Sequence, residues 1–127
     1  MKKPSIEKLL KDAKKDKNAK KCGMFLVHNG VVRETARAKV RQGKRNAKNV
    51  KGMLFSYDEK KVEKAKNKAL RMKGIYYISV WLNSGNLKLG DDIMIVLVGG
   101  DIRPNVINCL ENLVAEIKTK CVIEQEM

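Results

Sequence analysis

IYYISVWLNSGNLKLGDDIMIVLVGG, residues 75–100, reads as two strands with turns between them. Ile75, Tyr76, Tyr77, Ile78, Val80 and Trp81 are strong β-formers in close succession, which suits a pleated, half-buried surface. Asn83-Ser84-Gly85-Asn86 and Leu89-Gly90-Asp91-Asp92 are turn clusters, made of residues that accept or hydrogen-bond tight backbone conformations. Ile93 to Val98 is then an unbroken apolar run. A run of that length without polar alternation predicts a buried strand.

On the C-terminal side, Val106, Ile107, Leu110, Leu113, Val114 and Ile117 recur at helical spacing, predicting a helix from Arg103 to Lys120. Pro104 suits its first position, where a missing N–H costs nothing. The residue before a proline avoids the αR region, so Arg103 is expected at the cap or just outside it. Residues 121–127 read as a final short strand or a tail. On the N-terminal side, Val50–Tyr57 is a strand, and Asp58 caps a helix whose apolar stripe is Val62, Ala65, Ala69, Leu70 and Met72. Gly74 is expected to close that helix in the C′ position. Cys22–Val32 is a further strand, and Ser5 caps a short basic helix within residues 1–20, with Ile6, Leu9, Leu10 and Ala13 on one face. Residues 34–48 lack a core-forming pattern and read as a mobile basic loop. The order α-β-β-α-β-β-α brings strands in pairs, which suits an α+β fold with about three helices over an alternating parallel sheet. At 127 residues the chain is expected to form one domain.

Charge is distributed unevenly. The chain carries a net +14, but the first 73 residues hold +17 and the remainder is mildly acidic. That asymmetry points to an anionic partner: nucleic acid, a phosphorylated small molecule or an acidic protein surface. The alternative is a Lys-rich solvated surface of the heat-adapted kind, since Lys outnumbers Arg by 22 to 6. Arg33, Arg37, Arg41 and Arg45 recur every four residues, but Gln42-Gly43 interrupts them and no aromatic residue lies in the segment, so RNA binding is disfavoured. No apolar run approaches the roughly 20 residues of a membrane span. The start shows no apolar core of a secretory signal. Cys22, Cys109 and Cys121 form no Cys-x-x-Cys pair, and a reducing cytoplasm is expected.

Chemistry-bearing residues are few. His28 is the only histidine, which argues against structural zinc, and no Ser-His-Asp set is read around it. Asp91-Asp92 lies in a turn and is expected to be solvated. Gly99-Gly100 occupies the place of a phosphate loop, between a buried strand and a helix, but matches neither GxGxxG nor GxxxxGK[ST]. The start of the last helix is a candidate anion site, because free N–H groups, the dipole and Arg103 coincide there; pairing of Arg103 with Asp101 is the alternative. Lys118 and Lys120 sit in the last turn, where favourable pairing with the dipole is the simplest role.

The order and spacing of several motifs resemble one family, the large, catalytic subunit of molybdopterin synthase. Gly30-Val31-Val32-Arg33 is similar to its G-x-V-R, and Val50, Leu54 and Tyr57 to its V…L…Y strand. Gly85-Asn86-Leu87-Lys88-Leu89-Gly90-Asp91 is similar to its G-x-L-x-x-G-[DE] turn, the most specific match. Asp101-Ile102-Arg103 stands in place of its H-R, Ile117-Lys118-Thr119-Lys120 resembles its L-K-[TS]-[RK], and Glu126 falls near the acid that follows. The resemblance spans about residues 20–126.

The resemblance implies an α/β hammerhead fold and a homodimer carrying a small ubiquitin-like sulfur-carrier subunit at each end. It implies transfer of two sulfurs, from a thiocarboxylate on the carrier's Gly-Gly tail, to cyclic pyranopterin monophosphate in molybdenum or tungsten cofactor biosynthesis. Lys118 matches the lysine beside the thiocarboxylate, Arg33 and Arg103 match arginines of the substrate pocket, and Lys120 supports them. No metal and no cofactor is expected. Some positions differ from the family pattern: Ile102 replaces a histidine, Glu124 falls near a second catalytic lysine, Leu82-Asn83-Ser84-Gly85 replaces H-R-x-G, and an aromatic is replaced near His28-Asn29. Two alternatives therefore stand: a catalytically degenerate homologue that binds pterin or carrier, and a nucleic-acid-binding protein. Arg103 and Lys118 lie fifteen residues apart, about 22 Å along a helix. One small substrate reaches both only if the second comes from a neighbouring subunit.

Overall fold

The computed structural model describes residues 3–34 and 50–127. The expected mobile basic loop at 34–48 lies outside them from residue 35 onward, as do Arg37, Arg41 and Arg45 of the arginine spacing.

Helix α1 (Ile6–Lys15) begins where expected: the Ser5 side chain accepts a hydrogen bond from the Lys8 amide at 3.0 Å. Glu7 in its first turn and Lys14 and Lys15 in its last suit the helix dipole. Ala13 is its buried residue. After a single 3₁₀ turn (Ala19–Lys21) come strand β1 (Met24–Val31), strand β2 (Gly52–Tyr57) and helix α2 (Glu59–Leu70). Asp58 caps α2 by accepting from the Lys60 and Lys61 amides. Strands β3 (Ile75–Leu82), β4 (Gly85–Lys88) and β5 (Asp92–Gly100) follow, then helix α3 (Arg103–Glu116), a π-helical turn (Ile117–Cys121) and strand β6 (Val122–Glu126).

The strands form two antiparallel sheets, ordered β1-β5-β3 and β4-β2-β6. Strand β5 is central in the first sheet and buried from Ile93 to Gly100, as its continuous apolar run predicts. Helices α2 and α3 cover this core, which includes Ile78, Met94, Val96, Val98, Val106, Cys109, Leu113 and Ile117. With three α-helices among the described residues and antiparallel pairing throughout, the α+β class expected from sequence holds.

Several local expectations are corrected. Asn83-Ser84-Gly85-Asn86 is a turn only at its first half. Gly85 pairs with Phe55 and Leu87 with Met53, so β4 exists because β2, far away in sequence, supplies its partner. The C-terminal residues are a strand on the other edge of β2. Helix α2 ends at Leu70 with Arg71 as its cap; Gly74 is not its C′ residue. Gly74 has φ +76° in the following turn, and a Cβ there would collide with the Asp101 carboxylate and Asn105 amide. The last α-helix stops at Glu116 instead of Lys120, and Ile102, not Arg103, occupies its cap. Gly99-Gly100 is the end of a strand and not a phosphate loop. A Cβ on Gly100 would stand 2.5 Å from the Gly74 carbonyl oxygen and 2.8 Å from Val106 Cγ2, so these glycines let a turn and a helix approach the sheet.

The chain start is tied to the first sheet by Lys3 Nζ, 2.6 Å from the Asp92 carboxylate, which also accepts from Asn29 Nδ2 at 2.8 Å. The hydrogen bond from Lys3 and then that from Asn29 hold the Asp92 carboxyl below its ordinary value, against an opposing effect of burial. A depressed carboxyl stabilises the fold fully above the unfolded value, and this stabilisation is lost as pH falls through the lower native value. Urea unfolding is therefore expected to show stability falling below about pH 4, with a smaller fall in Asp92→Asn. Identical acid limbs in the two proteins would remove Asp92 from this role.

Candidate functional site

A cavity of about 290 Å³ opens where the two sheets meet the end of the last helix. Strand β1 contributes His28, Gly30 and Val31, with Arg33 just beyond; β2 contributes Met53, and β5 contributes Ile93 and Met94. The π-helical turn brings Lys118, and β6 brings Glu124 and Glu126.

Each contribution has a local cause. The register of β1 against β5 skips Ile93 between the Gly30–Met94 and Val31–Asp92 pairs, an irregularity of the ladder that lies just before Arg33. In the π-helical turn, Ile117 and Cys121 are both buried, Lys118 is half-buried and Lys120 is exposed. The wider turn keeps two apolar anchors on the core while placing Lys118 at the cavity; single π turns of this kind recur at functional sites. Thr119 Oγ1 donates to the Ala115 carbonyl at 2.8 Å, and the Asp58 amide donates to the Cys121 carbonyl at 2.8 Å, fixing the turn between α3 and the start of α2. Strand β6 alternates: Glu124, opposite Phe55, and Glu126, opposite Met53, share the cavity side, while Ile123 on the other face is 73% exposed.

Of the four residues singled out from sequence, the fold brings Arg33 and Lys118 to one cavity. Lys120 lines a separate groove with Lys61 and Cys121. Arg103 is exposed on the first turn of α3, at the opposite end of the helix from Lys118. The anticipated alternative partner of Arg103, Asp101, directs its carboxylate elsewhere, accepting from the Ile102 amide at 2.6 Å and Asn105 Nδ2 at 2.9 Å. These hydrogen bonds, that from Asn105 foremost, lower the Asp101 carboxyl pKa.

Sequence reasoning missed His28 as a cavity residue. The available signal was period-two alternation, which puts His28 on the same face of β1 as Gly30. Burial, and secondarily the charge of Lys118, lower the His28 pKa. The imidazole is therefore neutral at pH 7. The three cysteines stand apart from this chemistry: all are free, and burial pushes the Cys109 thiol up to about 11, leaving it protonated and unreactive. The arrangement can hold an anion between Arg33 and Lys118 and offers carboxylates and an imidazole to a polar, partly basic molecule.

A sequence profile for the family described as MoaE protein matches residues 2–120. No curated protein sequence matches at a significant level. Among solved structures, this fold is similar to a MoaE protein of molybdopterin biosynthesis from Burkholderia ambifaria, with TM-score 0.75, 18% identity, and 98% of this chain and 77% of that one covered. It is similar to a molybdopterin synthase from Staphylococcus aureus, with TM-score 0.73, 16% identity, and coverage of 98% and 86%. It also resembles a chain in the complex of subunits 1 and 2 of the molybdopterin-converting factor from Helicobacter pylori, with TM-score 0.67, 22% identity, and coverage of 97% and 78%. At these identities the structural likenesses establish the fold.

Proposed function

The chain belongs to the MoaE protein family, the large subunits of molybdopterin synthase, and from that membership we propose that its cavity is where sulfur passes to a pterin phosphate. The donor is a small carrier subunit with a thiocarboxylated C-terminal tail, and the acceptor is cyclic pyranopterin monophosphate. The observation that carries this reading is the convergence of Arg33 and Lys118 on one cavity from elements far apart in the chain. Lys118 orients the thiocarboxylate and stabilises charge that develops on it during transfer; Arg33 holds the substrate's anionic group.

Arg103 serves the same chemistry from a second copy of the chain. Its place at the far end of α3 supports a two-fold dimer in which each cavity borrows that guanidinium from the neighbour. Lys120 lies outside the cavity, so its part in this reading is to add positive charge nearby without touching the substrate. The proposed setting is a single-domain subunit in the cytoplasm. Free thiols suit that location, and no helix among the described residues is long and apolar enough to cross a membrane.

Incubation of the protein with thiocarboxylated carrier and the pyranopterin is expected to yield a product containing two sulfur atoms in place of oxygen, identified by mass measurement, with sedimentation giving twice the chain mass. A strictly monomeric protein would dispose of the shared site. A second reading has its own support: Glu124 and Glu126 line the cavity, and carboxylates beside an anionic substrate oppose its binding and the charge built up in transfer. In that reading the chain binds pterin or carrier without turnover, and the same incubation returns the pyranopterin unchanged.

A further inference from the structure

We propose that His28 is a ligand-contacting residue of the cavity, its imidazole Nε2 hydrogen-bonding a polar ring atom of the bound pterin; this rests on the function proposed above. Among the described residues, His28 Nε2 is the one buried side-chain nitrogen or oxygen without a hydrogen-bond partner. Native proteins rarely leave such an atom unpaired, and a missing ligand is one of the few explanations. The ring lines the cavity beside Gly30, where a Cβ would stand 3.6 Å from Nε2 and 3.3 Å from Met94 Cγ. A side chain at position 30 would therefore crowd Met94 and pack against the unpaired nitrogen, and glycine keeps that contact off it.

The chemistry of the neighbours indicates what fits there. Lys118, Arg33, Glu124 and Glu126 line the same cavity, so cations are already present for phosphate and thiocarboxylate. A neutral imidazole presents Nε2 as a donor or as an acceptor, according to its tautomer. That is suited to an uncharged heterocycle edge bearing N–H and C=O groups, which a charged lysine or arginine matches less selectively.

Calorimetric titration with cyclic pyranopterin monophosphate tests this in wild type, His28→Phe and His28→Gln. The Phe variant keeps a flat ring and removes the nitrogen; about tenfold weaker binding is expected. The Gln variant keeps a polar group near the same place and is expected to bind within about threefold of wild type. Should the larger Phe ring unfold the protein, His28→Leu takes its place. Thermal unfolding without ligand supplies the control, because deleting an unpaired polar atom should not lower the melting temperature. Variants that all bind like wild type overturn the His28 assignment alone. Affinity lost in both variants together with a lowered melting temperature also overturns it, by making His28 structural. Wild-type protein that does not bind the pterin overturns the proposed function and this contact together.

Discussion

Lys118→Ala is expected to reduce sulfur transfer by about 10²–10³-fold while leaving pterin and carrier affinity within a few-fold. The expectation follows from position. Lys118 is half-buried at the cavity wall, where a charge acts with less screening than at the surface. If it stabilises negative charge as sulfur leaves the carrier, its loss appears in turnover more than in binding. Single-turnover assays with saturating carrier, paired with calorimetric titration of each ligand, separate the two. Equal turnover in wild type and variant would take Lys118 out of the chemistry. A large loss of affinity with turnover intact would make it a binding group. Lys120→Ala is the natural comparison, since that residue lines a different groove, and it should lose far less.

Phe55→Ala should have the largest effect on stability. Phe55 has no solvent exposure and lies in the central strand of the second sheet, paired with Gly85 of β4 on one side and Glu124 of β6 on the other. Removing a fully buried phenyl ring costs about 3–5 kcal/mol, from lost transfer energy and the cavity left behind. That is a large share of the roughly 5–15 kcal/mol by which domains are stable. For a chain of this size it corresponds to a fall in melting temperature of about 10–20 °C. A fall below about 3 °C would mean the ring contributes little. The same substitution loosens the strand opposite Glu124, so weaker ligand binding below the melting transition is expected alongside the lost stability.

Much of the candidate site was accessible from sequence as separate pieces. Motif order singles out Arg33 and Lys118, and both line the cavity. A regular helix would carry Lys118 and Lys120 together in its last turn, whereas the chain makes a π-helical turn there and the two lysines line different cavities. His28 gives no comparable signal, because an isolated histidine in an apolar strand belongs to no motif. Its unpaired nitrogen is a property of its surroundings. The proline that follows puts Arg103 at the cap or just outside it, but the cap is Ile102 and Arg103 is the first helical residue. Ile102 carries the extended backbone of the cap, and the preceding Asp101 carboxylate accepts from the Ile102 amide and the Asn105 side chain.

By itself, the sequence determined what is encoded within a few residues or a few turns: the caps at Ser5 and Asp58, the buried run of β5, the apolar stripes of the helices and the charge asymmetry between the two parts of the chain. These are short-range consequences of hydrogen-bonding side chains and hydrophobic spacing. Tertiary structure alone decided that Gly85–Lys88 and Val122–Glu126 flank β2, and with that, that Glu124 and Glu126 meet Arg33, His28 and Lys118 around one cavity. Strand pairing is settled by which distant segment satisfies a backbone edge and buries its apolar face. No local pattern near Gly85 or Val122 specifies that partner.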